Sequence, residues 1–311
     1  MTRVFVPGDA TACALGADAV AAAIAEQARA RGLDIELVRN GSRGLFWLEP
    51  LVEVETATGR VAYGPVSCAD VAELLDRGLL AGGEHPLALG PTEQIPYLRD
   101  QTRVNFARAG VIDPLSIADY RRHEGFAGLA RALAMTGQQA VDVVKASGLR
   151  GRGGAAFPAG IKWQTVLDAP ATQKFIVCNA DEGDSGTFAD RLLMEADPLQ
   201  LVEGMTIAGL AVGATQGYIY VRSEYPRAFA VLRAAIALAR EAGFLGPDVC
   251  GSGRAFELEA RLGAGAYICG EETALLESLE GRRGLVRAKP PLPALQRSEE
   301  HTSELQSPVV I

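Results

Sequence analysis

Lys174-Phe175-Ile176-Val177-Cys178-Asn179-Ala180-Asp181-Glu182-Gly183-Asp184 is the stretch that decides the fold. Its first half is a short apolar run, the pattern of a strand covered on both faces, and predicts a strand over 174–179. Its second half puts carboxylates at 181, 182 and 184 on a glycine-containing loop at that strand's carboxyl end, where open parallel sheets collect ligands. Outward from it, patterns predict a helix over about 198–213, a strand over 217–222 and a long helix over 226–242. A strand near 256–262 and a helix from about 271 to 280 follow. Strands alternating with helices predict a parallel α/β sheet. Upstream, helical patterns occupy about 101–110, 116–122, 125–135 and 138–146.

Between the last of those helices and the first strand lies Gly148-Leu-Arg150-Gly151-Arg152-Gly153-Gly154-Ala-Ala-Phe157-Pro158-Ala-Gly160-Ile-Lys162-Trp163. Glycines here let a ligand approach the main chain. Arg150, Arg152 and Lys162 add positive charge, Phe157 adds a flat ring, and Pro158 limits flexing. Free N–H groups, cations and an aromatic face suit a phosphorylated, ring-containing ligand such as a nucleotide or a flavin. A turn-rich loop with no ligand fits the same string. No Gly-Lys-Ser/Thr follows, so it is not a P-loop, and its glycine order is not that of the usual dinucleotide fingerprint.

The acidic loop, which runs on through Ser185-Gly186-Thr187-Phe188-Ala189-Asp190-Arg191, reads three ways. It can accept hydrogen bonds from ribose or ribityl hydroxyls, hold a divalent cation, or be a solvated face. A third segment, Gly263-Ala-Gly265-Ala-Tyr267-Ile-Cys-Gly270-Glu271-Glu272-Thr273, is a glycine-rich approach to a helix. Glutamates in a first helical turn are also ordinary partners of the helix dipole. Arg282, Arg283, Arg287 and Lys289 restore positive charge soon after. Packing alone does not account for three glycine-lined polar loops in one sheet.

Composition sets the outer limits. The chain has 311 residues, enough for two domains, and 48% are hydrophobic, enough for sizeable cores. A formal net charge of −8 argues against nucleic acid or an anionic membrane as partner. There is no long apolar run and no signal-peptide pattern, which points to a cytoplasmic protein without direct membrane contact. The cysteines at 13, 68, 178, 250 and 269 contain no Cys-x-x-Cys, fit neither a disulfide framework nor a sequence-local metal site, and are expected to be buried thiols.

At the N-terminus a strand over 3–7, an alanine-rich helix over 17–31 and a strand over 34–39 precede a hairpin, 51–56 with 60–63, and a helix over 69–79. The order βαβ then ββα is that of a thioredoxin-like fold. Residues 1–85 are read as this domain and 86–100, rich in glycine and proline, as a linker. Residues 101–296 are read as the α/β domain.

Two resemblances follow from these residues. The first 85 residues resemble the thioredoxin-like ferredoxin domain of complex I and its relatives, where thiolates before Ala-Pro help hold a two-iron cluster. Ser42 and Phe46 stand where those thiolates would be, which implies a cluster-free docking module. The four motifs Gly-Leu-Arg-Gly-Arg-Gly-Gly-Ala-Ala-Phe-Pro, Cys-Asn-Ala-Asp-Glu, Gly-Ala-Gly-Ala-Tyr-Ile-Cys-Gly-Glu-Glu-Thr and Arg-Ala-Lys-Pro-Pro resemble the FMN- and NADH-binding flavoprotein subunit of complex I. The fused N-terminal domain and Gly183-Asp184-Ser185 look most like the β subunit of soluble, molybdenum-dependent, NAD-linked formate dehydrogenases.

That resemblance implies a Rossmann-like FMN-binding domain behind the thioredoxin-like one. FMN would be held by Gly151, Arg152, Gly153, Gly154, Lys162, Asn179, Asp181, Glu182, Gly270, Glu271 and Glu272. Phe157 would stack on the NAD adenine, with Asp184, Tyr267 and Lys289 near the dinucleotide. The implied reaction is hydride transfer between NAD(H) and FMN, with no catalytic protein nucleophile and no metal ligand in these residues. Electrons would come from formate; alternatives are the NADH-oxidising subunit of complex I, the diaphorase subunit of NAD-reducing hydrogenase, or a cofactor-free docking protein. Implied partners are iron–sulfur and molybdopterin subunits. The family continues into β-grasp and 4Fe–4S domains, which are missing here. Residues 297–311 resemble a translated sequencing adapter, so the chain is expected to be a fragment with a non-native tail.

Overall fold

A computed structural model describes residues 1–152 and 156–288, and the backbone of 304–306. The expectations for Gly153, Gly154 and Lys289, and most of the tail reading, lie outside the described residues. The chain divides into two units: Met1–Ser116 with Glu195–Asp197, and Ile117–Met194 with Pro198–Ile311.

The first unit runs β1 (Thr2–Phe5), α1 (Ala10–Ala14), α2 (Ala17–Ala30), β2 (Ile35–Val38), β3 (Val52–Thr56), β4 (Gly59–Tyr63), α3 (Val71–Asp76), β5 (Ala88–Pro91) and α4 (Pro96–Arg99). Its sheet has the order β2-β1-β3-β4-β5, with β1 parallel to β2 and the other pairs antiparallel. This is the thioredoxin-like arrangement. Alternating valines Val52 and Val54 meet Val4, Val6, Ile24, Leu74 and Leu79 in its core.

Two stretches differ from expectation. Residues 86–100 hold β5 and α4 rather than a bare connection. Gly90 and Pro91 signal a loop in sequence, yet proline is tolerated on an edge strand, and β5 is the edge. Residues 101–110 form no helix. The chain there ends in Gly110 at φ +77°, and its carbonyl accepts from Asn40 Nδ2 at 2.7 Å and Arg60 Nη1 at 3.0 Å. Side chains from elsewhere satisfy this backbone, so a helical ladder is not needed.

The second unit carries α5 (Ile117–Arg122), α6 (Ala127–Leu133), α7 (Gly137–Ser147), α8 (Ala159–Asp168), β6 (Phe175–Ala180), α9 (Ala189–Ala196), α10 (Pro198–Val212), β7 (Gln216–Val221), α11 (Pro226–Glu241), β8 (Glu257–Leu262), α12 (Glu272–Leu279) and β9 (Glu304–Gln306). The sheet order is β8-β7-β6-β9, all parallel. Helix α10 is buried along its whole length and mostly apolar, and its buried Glu203 accepts from Tyr120 Oη, Phe126 N and Leu129 N. It lies so close to the core that a Cβ on Gly209 would stand 2.4 Å from the Phe256 ring.

The fold is therefore mixed α/β, with a Rossmann-like second unit. Helices α8 and α9 begin inside stretches read as loop from their glycines and charges. Parallel pairing makes Ala180, Val221 and Leu262 the carboxyl ends of β6, β7 and β8. The loops after them are the acidic segment, residues 222–225 and the 263–271 segment.

Candidate functional site

Asn179 ties the first of these loops to the third. Its Nδ2 donates to the carbonyl of Gly270 at 2.8 Å, while its Oδ1 accepts the Asp181 N–H at 3.2 Å. Asp181 is buried, and burial pushes its carboxyl above the usual range, with Arg222 opposing the shift. A Cβ on Gly270 would stand 3.0 Å from Asp181 Oδ2, so the small residue permits this approach.

Glu182 is fixed at both ends. Its carboxylate accepts the N–H groups of Asp190 and Arg191 at 3.0 Å each, satisfying the first turn of α9. Its own backbone sits at φ +41°, a left-handed conformation that costs a non-glycine residue on the order of 1–3 kcal/mol. Arg222 Nη1 holds its carbonyl at 2.8 Å. Burial and the neighbouring Glu182 charge push Asp190 up to about 6. Burial and the same charge push the Tyr225 phenol up to about 12.

Glu271 plays the matching part for α12. As N-cap it accepts from Thr273 N at 2.8 Å, Ala274 N at 3.0 Å and the Thr273 hydroxyl. Glu272 lies in the first turn. Arg287, part of the basic stretch that follows, pairs with Glu277. Tyr267 is 72% exposed and Phe188 is 38% exposed, so two rings stand open beside the acidic loop. Asp184 is exposed.

Hydrogen bonds described for residues 149–158 tie the α7–α8 connection to itself and to the adjoining ends of the two helices. Gly151 N donates to Phe157 O at 2.8 Å, Ala159 N to Leu149 O at 2.9 Å, and Arg150 Nη1 to Ala156 O at 3.0 Å. Arg152 and Phe157 are exposed, and Lys162 Nζ lies 5.8 Å from the Phe157 ring centroid. Cations and an aromatic face are thus together at the start of α8. Gly160, read as part of the ligand loop, has a packing reason instead: a Cβ there would stand 2.7 Å from the Lys145 backbone nitrogen on α7.

In the first unit the cluster position is filled differently. Ser42 is fully buried and its hydroxyl donates to Glu49 Oε1 at 2.6 Å. Glu49 also accepts Leu51 N at 2.9 Å, and burial pushes its carboxyl up to about 7. Next to them Arg43 forks onto Glu53 with two contacts of 2.9 Å and reaches Glu93 at 2.7 Å. Phe46 is 40% exposed. Cysteines Cys178 and Cys269 are buried as expected, whereas Cys13 is half-buried and Cys68 and Cys250 are exposed. Among the described residues no group of three or more His, Cys, Asp or Glu side chains could hold a metal ion. None of the described helices is long and apolar enough to cross a membrane.

Sequence reasoning overlooked Arg222 and the steric role of Gly183. The signal was available: Arg222 is the first residue after a strand whose end faces the same rim as Asp181.

This rim of strand ends and its glycine loop coincide with a known family. Residues 144–297 match the family model described as the Nuo51 FMN-binding domain. Over 196 residues the chain is 54% identical to the HndC subunit of the NADP-reducing hydrogenase of Solidesulfovibrio fructosivorans, covering 63% of this chain and 40% of that protein. It is 48% identical over 201 residues to the F subunit of the NADH-quinone oxidoreductase of Aquifex aeolicus, covering 64% of this chain and 47% of that protein. A crystal structure of NAD+-reducing NiFe hydrogenase in the air-oxidized state superposes with a TM-score of 0.53 at 25% identity, covering 98% of this chain and 50% of that chain. Residues 144–297 are thus similar to the Nuo51 FMN-binding domain and to hydrogenase and NADH-quinone oxidoreductase subunits. The chain spans less than half the length of these two curated relatives.

Proposed function

We propose that this protein is the flavin- and nicotinamide-binding part of an electron-transfer oxidoreductase subunit, passing hydride between NAD(H) and FMN. The observation that carries the reading is the rim itself: Asn179 bonded to Gly270, two glycines closed in by Asp181 and Tyr267, and open rings at the carboxyl ends of parallel strands. The residues fit FMN and a dinucleotide. Glycines 183 and 270 let Tyr267 and Asp181 close onto the main chain and so bring the loops together, and the Arg152, Phe157 and Lys162 group offers charge and a flat face. FMN, when bound, supplies acceptance of a hydride and release of single electrons.

The chain's own residues bind and orient. In this proposal Gly151, Arg152, Gly153, Gly154, Lys162, Asn179, Asp181, Gly270 and Glu272 line the flavin. Glu182 and Glu271 set the starts of α9 and α12, which fixes where the two loops meet. Phe157, Asp184, Tyr267 and Lys289 take the dinucleotide. The fused, cluster-free first unit is a docking module for an iron–sulfur subunit. The thioredoxin-like unit with Ser42 and Phe46, and the sequence Gly183-Asp184-Ser185, support formate as the electron source through a molybdopterin subunit in the cytoplasm.

Two experiments test this on protein made from the complete gene. Anaerobic addition of NADH to the FMN-loaded protein should bleach the flavin absorbance; unchanged absorbance sinks the hydride-transfer reading. Formate should reduce NAD⁺ in the purified assembly. Reduction by hydrogen but not by formate would replace the electron source and leave the site intact.

A further inference from the structure

Gly183 and Tyr267 make a contact that the proposed binding roles leave unexplained. A Cβ on Gly183 would stand 3.0 Å from Tyr267 Cε2 and 3.4 Å from Cδ2. The ring therefore lies against bare main chain, with its remaining surface open to solvent. Gly183 has no left-handed φ, so the demand for glycine here is one of space.

The peptide beneath the ring is itself held. Arg222 Nη1 donates to Glu182 O at 2.8 Å and to Gly183 O at 3.5 Å, while its Nε pairs with Glu224 Oε2 at 3.2 Å. On the other side, Glu182's carboxylate is anchored to the start of α9. Gly265, two residues before Tyr267, sits at φ +85° and a Cβ there would stand 3.2 Å from Ser223 Oγ. The loops after β6, β7 and β8 thus meet at one point, and the ring rests on it.

We propose that Gly183 and Arg222 are positioning residues that seat Tyr267, fixing its ring as the outer wall of the dinucleotide site. The proposal rests on the reading of this rim as a nicotinamide-dinucleotide site. A seated ring loses its rotamer freedom before the ligand arrives, so the ligand does not bear that ordering cost. Arg222 acts by fixing the carbonyl side of the Glu182–Gly183 peptide. Gly183 acts by leaving room on the Cα side.

The test is a double-mutant cycle on FMN-loaded protein from the complete gene, reading the dissociation constant for NADH, the flavin content and kcat. Gly183→Ala should raise the dissociation constant several-fold to about tenfold, because the cost of ordering one side chain returns to the binding step. Arg222→Lys, which keeps the charge but cannot fork, should raise it less. Flavin content and kcat should stay near wild type, which loss of general stability would not allow. In a Tyr267→Ala background Gly183→Ala should cost nothing further, because its effect passes through the ring. Equal weakening by Gly183→Ala in both backgrounds, or loss of flavin, overturns the seat. If Tyr267→Ala alone leaves NADH affinity unchanged, the dinucleotide reading of this face is wrong and the proposal falls with it.

Discussion

The segment after β2 and the segment after β6 start from similar ingredients and end in opposite states. Each follows a parallel strand and carries hydroxyl or carboxylate groups and a glycine. In the first, Ser42, Arg43, Glu49 and Glu53 are at most 4% exposed and bonded in two neighbouring pairs, Ser42 with Glu49 and Arg43 with Glu53. In the second, residues 184–189, Phe188 among them, are exposed and the Tyr267 ring stands open beside them. A buried polar network that satisfies itself is structure; a rim of exposed loop residues beside an open ring can meet a ligand. The difference favours the second unit for the proposed chemistry.

Substitutions on either side put this contrast at risk. The largest effect belongs to Glu53→Gln. Arg43 and Glu53 are both buried, and Arg60 also reaches Glu53 at 3.4 Å. Removing the carboxylate takes away the buried partner of Arg43 and leaves it only the exposed Glu93, and should cost about 3 kcal/mol, read from urea unfolding of the protein. A loss below about 1 kcal/mol, the range of an exposed pair, would show that the network is solvated.

Next comes pH. Glu49's carboxyl lies at about 7 in the folded chain against an ordinary 4.5, so the folded state holds the proton more tightly. Its stabilising contribution is fully present below pH 4.5 and is lost as pH rises to about 7. The loss should approach ~3 kcal/mol from a shift of this size. Glu49→Gln should flatten that part of the stability profile. An unchanged slope would remove Glu49 from the account.

Glu182→Ala should cost about 1 kcal/mol through the lost cap of α9, and should also weaken flavin retention. Intact flavin affinity would separate the cap from the site. The smallest effect is expected at Asp184, whose charge disfavours an added 2′-phosphate. Asp184→Asn should narrow the preference for NAD over NADP by a few-fold, within the roughly 1 kcal/mol of a solvent-exposed charge interaction. An unchanged ratio of kcat/KM values removes Asp184 from that role.

Much of this architecture was legible in the sequence. The strands at 175–180, 216–221 and 257–262 and the helices at 198–212 and 226–241 follow from apolar runs and helical periodicity. β5 escaped because an edge strand tolerates the glycine and proline that punctuate loops. Helices α8 and α9 escaped because their first turns carry glycine or charge, which read as loop until a capping partner such as Glu182 is known. Of the candidate site, the acidic and 263–271 segments could be found from their position after strands, and the glycine loop between α7 and α8 from its composition. Arg222 could have been found by position too, as the first residue after β7, whereas the seat under Tyr267 could not, since it depends on distances between loops far apart in sequence.

If flavin and dinucleotide sit on the strand-end rim of the second unit, and the 42–53 network is structural, ligand protection must be confined to the rim. Amide hydrogen exchange decides this, measured on the protein from the complete gene before and after adding FMN and then NADH. Exchange should slow in peptides covering 179–188 and 263–273 and stay unchanged in 42–53. Protection in 42–53, or none in the two strand-end loops, would contradict the assignment.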